Sequence, residues 1–231
     1  MIFNERKPVG ASFTDLDRAR RWDERNLKLE SSAEQKAERI SRLLSLNPES
    51  TVVDLGCGSG FFTLEISRYC KQIYAVDISS IMLQLLEEKK QARGIENITC
   101  INKGILQFLS EQKQPVDAFV LQTSLHHLPD FWKSLAVHYI GQNLHSNGLV
   151  YLSDVIFSFP ISEYKTHFQA LHQFISSKND EGLLRDLETH LLEEHSTFDW
   201  VLEGMFERSG FKKLSKTEQS ATVAEYLFQK K

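Results

Sequence analysis

Short β-branched runs alternate with amphipathic stretches from residue 50 to residue 157, and this alternation restricts the fold more than any other feature. The runs are "STVVDL" (50–55), "QIYAVDI" (72–78), "NITCIN" (97–102), "VDAFVLQTS" (116–124) and "LVYLSDVIF" (149–157). Apolar runs this short predict strands buried on both faces, as in a parallel sheet. Between them "FFTLEISRYCK", "SIMLQLLEEKKQARG", "ILQFLSEQ" and "DFWKSLAVHYIGQNL" carry helical spacing, and "SSAEQKAERISRLLSL" (31–46) adds a helix in front, opened by serine. Strand–helix repeats of this kind predict βαβ units with helices on both faces. "SNG" predicts a turn ahead of the fifth strand. After Pro160 the pattern changes: two helical stretches fill 161–196 with no strand between them, so 158–196 is expected to be an insertion over the carboxyl edge of the sheet. A helix, "TFDWVLEGMFERSG", follows. Two β-like runs, "FKKLSKT" and "ATVAEYLFQK", then predict an antiparallel hairpin turning at "EQS". The 231 residues suit a single domain, with 1–30 as an N-terminal arm.

The turn after the first strand reads "VVDLGCGSG", with Gly56, Gly58 and Gly60 at alternate positions. In an open α/β sheet ligands bind beyond the carboxyl ends of the strands. Glycine there permits positive φ and lets a ligand approach the bare backbone. A dinucleotide turn would carry its third glycine three positions after the second, where this chain has Phe61. Asp54 stands two residues ahead of the loop and would repel a pyrophosphate but attract a cation. Asp77 ends the next strand, where a carboxylate can accept from two ribose hydroxyls.

These residues resemble a class I S-adenosylmethionine-dependent methyltransferase of the small-molecule, type 11-like branch. "VVDLGCGSG" looks like that family's first motif, "AVDIS" followed by Met82 like its second, and "VDAFVLQTSLHHLPD" like its fourth-strand motif. The similarity spans roughly 35–157 and the final hairpin. It implies a Rossmann-like, mostly parallel seven-stranded sheet of order 3-2-1-4-5-7-6 with an antiparallel carboxyl-terminal hairpin. It also implies S-adenosylmethionine as cofactor. Carried over by position, Asp54 and the loop Gly56, Cys57, Gly58, Ser59 and Gly60 line the methionine part. Asp77 holds the ribose, Ile78 and Met82 flank the adenine, and Gln122 and Thr123 lie beside the methionine end. Gly104 and Ile105 follow the third strand. The family commonly has an aspartate there, accepting from the adenine N6 amine, and Gly104 departs from that pattern. Adenine recognition is then expected to rest on backbone groups and apolar contact.

The remaining candidates have competing readings. Cys57 reads as a small filler with no cationic neighbour in sequence to activate it. His126 and His127 follow the fourth strand and are weak candidates for a general base, against packing beneath the loop. "ETHLLEEH" places His190 and Glu194 one helical turn apart, yet reads as a solvated helical face, and no metal is expected. Trp22 is either part of a lid or an anchor for the arm. Tyr164, His167 and Phe168, with Leu171 and His172, recur at helical spacing and are expected to line an acceptor pocket roofed by 158–196.

Methyl transfer from a sulfonium needs positioning more than acid–base groups, so the lack of a catalytic constellation is compatible with an enzyme. "LQTSLHHLP" lacks the paired prolines of amino-methyltransferases acting on nucleic-acid bases, and no Pro-Cys nucleophile is present. A small-molecule acceptor is expected. The net charge of −4 carries no basic footprint for nucleic acid. Three unclustered cysteines and no apolar run of about 18 residues point to a cytoplasmic chain without a membrane span. The first 25 residues contain no apolar core of a secretory signal. Two alternatives stay open: a non-catalytic S-adenosylmethionine-binding sensor or partner subunit, and a nicotinamide-dependent oxidoreductase. Asp54 and the missing glycine spacing disfavour the second.

Overall fold

A computed structural model describes residues 3–6, 15–29, 33–177 and 181–231. The five expected strands form as β1 (Thr51–Leu55), β2 (Gln72–Asp77), β3 (Ile98–Asn102), β4 (Val116–Gln122) and β5 (Leu144–Phe157). The helices are α1 (Leu16–Leu29), α2 (Ala33–Leu43), α3 (Phe61–Ile66), α4 (Ser80–Ala92), α5 (Ile105–Glu111), α6 (Asp130–Gln142), α7 (Tyr164–Ser176), α8 (Glu181–Glu193) and α9 (Asp199–Arg208). Three more strands close the chain: β6 (Thr197–Phe198), β7 (Phe211–Ser220) and β8 (Val223–Lys230). The sheet order is β3-β2-β1-β4-β5-β8-β7, with β6 pairing the far end of β5. β1 to β5 run parallel, and β8 and β7 are antiparallel, so the fold is the Rossmann-like one expected.

Side chains alternate across the sheet, as the two-residue period of a strand requires. In β1, Val53 and Leu55 join one core with Phe119, Leu121, Ala136 and Phe206, which α6 and α9 cover. Val52 joins the other with Ala75, Val120, Ile40 and Leu86, which α2 and α4 cover. Val52, Val53 and Leu55 are fully buried. Each such side chain contributes roughly 1.5–3 kcal/mol relative to exposure. Both faces are therefore filled, and the ligand-accessible part is the carboxyl edge, where the loops after β1, β2, β3 and β4 meet.

Three sequence expectations change. The "SNG" turn is a bulge inside β5: Leu144 already pairs with Val116, the register shifts before Ala118, and Asn147 takes φ 63°. A two-residue strand, Thr197–Phe198, replaces the start of the last expected helix and pairs in parallel with Ile156 and Phe157, adding an eighth strand off the expected seven-strand path. The hairpin turns at Ala221–Thr222, beyond "EQS". The expected arm contains the helix α1. The serine expected to open the second helix, at 31, lies outside the described residues.

Candidate functional site

The loop after β1 is built from both its neighbours. The N–H groups of Gly56 and Cys57 donate to the Val76 carbonyl at 2.8 and 3.0 Å, and the Gly58 N–H donates to Asp77 Oδ2 at 2.8 Å. All three glycines take positive φ: 76° at Gly56, 54° at Gly58 and 79° at Gly60. Their surroundings differ. A Cβ on Gly56 would lie 2.3 Å from Ser124 Cβ, and one on Gly60 would lie 2.1 Å from Leu86 Cδ1. A Cβ on Gly58 would meet no atom within 4 Å. Gly56 and Gly60 are thus packing glycines; Gly58 alone faces open space.

Asp77 accepts from Gly58 N through Oδ2 and from Ser79 N, at 2.8 Å, through Oδ1. A carboxylate has about four lone-pair sites, so each oxygen keeps capacity for another donor. Burial pushes the Asp77 pKa up, and the backbone bonds from Ser79 and Gly58 oppose it. Asp54 is buried and accepts from Thr63 Oγ1 at 2.6 Å. Burial raises its pKa to about 7, against the Thr63 bond and with a smaller push from Asp77. Cys57 is held as a neutral thiol: burial, then Asp77 and Asp54, raise its pKa well above the ordinary value. That agrees with a filler and not a nucleophile.

The end of β4 is strained. Thr123 has φ 47°, a left-handed conformation unusual for a β-branched residue, while its N–H donates to Ser153 O at 2.8 Å. Such outliers persist only where the surroundings over-determine them and cluster at functional sites. Gln122 beside it is half-buried, and Ser124 Oγ donates to Leu55 O at 2.7 Å, tying this turn to the glycine loop.

The arm closes on the same edge. Trp22 and Leu16 of α1 pack on the cluster of Ala19, Met82 and Leu85. Asp23 bonds the Ser59 hydroxyl, and Lys89 Nζ bridges Asp23 Oδ1 at 2.7 Å and Ser59 O at 3.1 Å. Trp22 is thus packed between α1 and α4, and Met82 is buried under α1 while Ile78 stays half-buried.

Gly104 holds what the sequence reading missed. Glu5 places its carboxylate against it: a Cβ at 104 would lie 2.4 Å from Glu5 Oε2. Glu5 Oε1 accepts from Leu106 N and Oε2 from Gln107 N, both at 2.9 Å. The position where the family commonly has an aspartate is thus lined by a carboxylate from the arm as well as by backbone groups. Phe3, two residues earlier, stacks on Trp132 at 5.0 Å. A glycine at the start of α5 was the one available signal, and it named no partner.

His126 and His127 part company. His126 is buried between two carboxylates, with Nδ1 2.5 Å from Asp154 Oδ1 and Nε2 3.2 Å from Glu194 Oε2. Burial opposes its charge, but Asp154 and Glu194 outweigh burial and hold its pKa above the ordinary imidazole value. Both ring nitrogens are engaged, so His126 is not a free base. His127 is half-exposed, and burial, then the charge of His126, lower its pKa to about 4. Glu194 and His190 do not form the solvated face expected of "ETHLLEEH": they bond each other and pack inward on His126.

Tyr164, His167 and Phe168 do come together. Phe168 meets Phe157 at 5.9 Å, Phe159 at 6.0 Å and Tyr164 at 6.3 Å, and His167 stacks on Phe159 at 4.5 Å. His172 points away, with its Nδ1 3.5 Å from Ser176 Oγ on an exposed face.

No helix among the described residues is long and apolar enough to cross a membrane. Residues 52–148 match the family model described as a methyltransferase domain. An uncharacterized methyltransferase of Geobacillus kaustophilus is 27% identical over 186 residues, covering 80% of each chain. An S-adenosylmethionine-dependent methyltransferase from Clostridium acetobutylicum shares the fold with TM-score 0.65 at 12% identity, over 93% of this chain and 98% of that one. The N-methyltransferase NodS from Bradyrhizobium japonicum, in complex with S-adenosylhomocysteine, does so with TM-score 0.59 at 16% identity, over 88% and 90%. The methyltransferase-domain match runs from β1 into the start of β5 on this strand order, so the chain is similar to the S-adenosylmethionine-dependent methyltransferases in that region and shares their fold.

Proposed function

We propose that the chain transfers the methyl group of S-adenosylmethionine to a small-molecule acceptor, with the cofactor seated across the carboxyl ends of β1 and β2. The observation that carries this seat is Gly58: positive φ, no atom within 4 Å of its would-be Cβ, and its N–H locked to Asp77. A cradle that a side chain would fill, beside a carboxylate with spare acceptor capacity, suits a ribose and its attached chain. Asp77 then takes the ribose hydroxyls. Asp54 supplies negative charge beneath the loop toward the cationic end. Glu5, aimed at Gly104, offers an acceptor for the adenine amine, and Ile78 packs on the ring. Gln122 and Thr123 border the methionine end.

When bound, the cofactor supplies an activated methyl on a sulfonium. What the chain supplies is position and water exclusion, which can contribute about 7–11 kcal/mol. We assign the acceptor side to the α7–α8 segment. Its support is the aromatic group of Phe157, Phe159, Tyr164, His167, Phe168 and Phe198 at the end of β5. N-methylation is the activity named for the structural relative NodS, and an amine is accordingly among the acceptor classes to screen.

Calorimetric titration tests the cofactor reading. S-adenosylmethionine and S-adenosylhomocysteine should bind with one-to-one stoichiometry and NAD should not. Binding of NAD in preference to both would overturn it. Tyr164→Ala and Phe168→Ala should reduce methyl transfer while leaving cofactor affinity unchanged; full turnover in both would remove α7 from the acceptor site.

A further inference from the structure

Four residues from two distant segments meet behind β4. His126 Nε2 lies 3.2 Å from Glu194 Oε2, His127 Nδ1 lies 4.0 Å from Glu194 Oε1, and His190 Nδ1 meets the same Oε2 as His126. Donor atoms of His126, His127 and Glu194 lie within 4.8 Å of one another. We propose that His126, His127, His190 and Glu194 form a binding site for a divalent transition-metal ion of the zinc type, which fastens the end of α8 to the β4 edge of the sheet.

The donor chemistry comes first. Imidazole nitrogens with one carboxylate oxygen suit zinc, cobalt and nickel, and an all-oxygen cage for magnesium or calcium is not what these residues offer. In a tetrahedral zinc site bonds of about 2.0–2.1 Å put neighbouring donors about 3.3 Å apart. Two of the observed separations, 3.2 and 4.0 Å, lie near that value.

The outer contacts are those a ligating histidine requires. A metal-bound imidazole donates its other N–H to a carboxylate, carbonyl or hydroxyl, which fixes its tautomer and ring plane. His126 Nδ1 has Asp154 Oδ1 at 2.5 Å, leaving Nε2 turned to the cluster. Asp154 is itself held by the N–H groups of Leu125 at 2.9 Å, His126 at 3.3 Å and Val155 at 2.8 Å. His190 Nε2 has the Ser196 hydroxyl at 2.8 Å, leaving Nδ1 turned inward.

Charge points the same way. Asp154 and Glu194 side chains are 3% and 6% exposed, and two buried carboxylates require compensation. Neighbouring Lys133 is engaged by Asp130, at 2.8 Å, and by the His195 carbonyl. A doubly charged ion balances both carboxylates while the imidazoles stay neutral. The frame is already assembled: His195 N–H donates to the His126 carbonyl at 2.9 Å, so the end of α8 is registered against the β4 turn. His127, whose side chain is 41% exposed, leaves one side open for an ion to arrive.

The test uses the full chain, stripped with chelator and titrated with zinc by calorimetry and with cobalt by visible absorption. One equivalent of cobalt should bind with the intense d–d bands of a four-coordinate site. His190→Ala and Glu194→Gln should each weaken zinc binding at least tenfold. Absence of binding at micromolar zinc, or wild-type affinity in both variants, overturns the proposal. That outcome would mean that protons on the imidazoles carry the compensating charge. Should the buried variants fail to fold, His127→Ala alters the most exposed of the four: a tenfold loss supports the site, and unchanged affinity overturns it.

Discussion

The two glycines at 56 and 58 should fail in different ways when each becomes alanine. A Cβ at 56 sits 2.3 Å from Ser124 Cβ, about 1.1 Å closer than ordinary contact begins. Ser124 has little room to yield, being buried and bonded through Oγ to the Leu55 carbonyl at 2.7 Å. Overpacking of this kind costs about 1–3 kcal/mol. The left-handed φ adds about 1–2 kcal/mol for any residue with a Cβ. Gly56→Ala should thus lose about 2–5 kcal/mol of stability, and at roughly 2–4 °C per kcal/mol for a chain of this size its Tm should fall by about 4–20 °C. Gly58→Ala carries only the backbone cost, about 1–2 kcal/mol, because its Cβ meets no atom within 4 Å. The new methyl enters the cofactor's space instead. A misfit of about 1–3 kcal/mol there weakens S-adenosylmethionine binding by about 5–150-fold. Scanning calorimetry reads the first effect and titration calorimetry the second. The reasoning is refuted if Gly58→Ala binds S-adenosylmethionine as tightly as the wild type, or if Gly56→Ala melts where the wild type does.

Asp77→Asn should weaken cofactor binding by about 10–150-fold, the value of about 1.5–3 kcal/mol for a hydrogen bond to a charged acceptor; unchanged affinity by titration would remove the ribose role. Glu5→Ala leaves the Leu106 and Gln107 N–H groups without their carboxylate, so it should cost about 0.5–2 kcal/mol of stability, read as a fall in Tm of a few degrees. The same variant should weaken S-adenosylmethionine binding, and full affinity in a folded Glu5→Ala protein would separate the arm from adenine recognition.

The strands and the two-faced core were legible because burial imposes a period. Val52 and Val53 go to opposite cores, as alternation demands, and the five predicted runs begin and end within a few residues of their strands except at β5. There the polar "SNG" hid a bulge, since pairing with β4 outweighs local turn propensity. β6 was invisible because two residues cannot carry a period. The glycine loop was legible as a loop but not in its division of labour: that Gly56 yields to Ser124 and Gly60 to Leu86 depends on partners 68 and 26 positions away. Glu5 failed for the same reason, with its partner at Leu106 lying 101 residues on. Helical spacing did put His190 and Glu194 on one face. It could not say that the face would turn toward His126 and away from water.

Asp54 makes a sharper forecast than its position in the motif suggests. Among the described residues, it and Asp77 are held by a hydroxyl and by backbone N–H groups, not by side-chain cations, whereas Asp23 nearby is paired with Lys89. Hydrogen bonds of this kind leave the negative charge in place, and burial answers by raising the Asp54 pKa to about 7. Below that pH Asp54 is neutral; above it the carboxylate is present. S-adenosylmethionine and S-adenosylhomocysteine carry the same amino-acid groups and differ in the charge on sulfur. Only the sulfonium gains from the ionised carboxylate. The affinity for S-adenosylmethionine relative to S-adenosylhomocysteine should therefore rise as pH increases through about 7. Two unit charges about 8 Å apart at an effective dielectric near 20 interact by ~2 kcal/mol, about 30-fold, which sets the order of magnitude for the rise in the ratio. Asp54→Asn keeps an oxygen for the Thr63 hydroxyl and removes the charge, so its ratio should stay flat. Paired titrations of the two ligands from pH 6 to pH 8 decide the matter: a flat ratio in the wild type, or the same slope in Asp54→Asn, would show that the sulfonium does not sense this carboxylate.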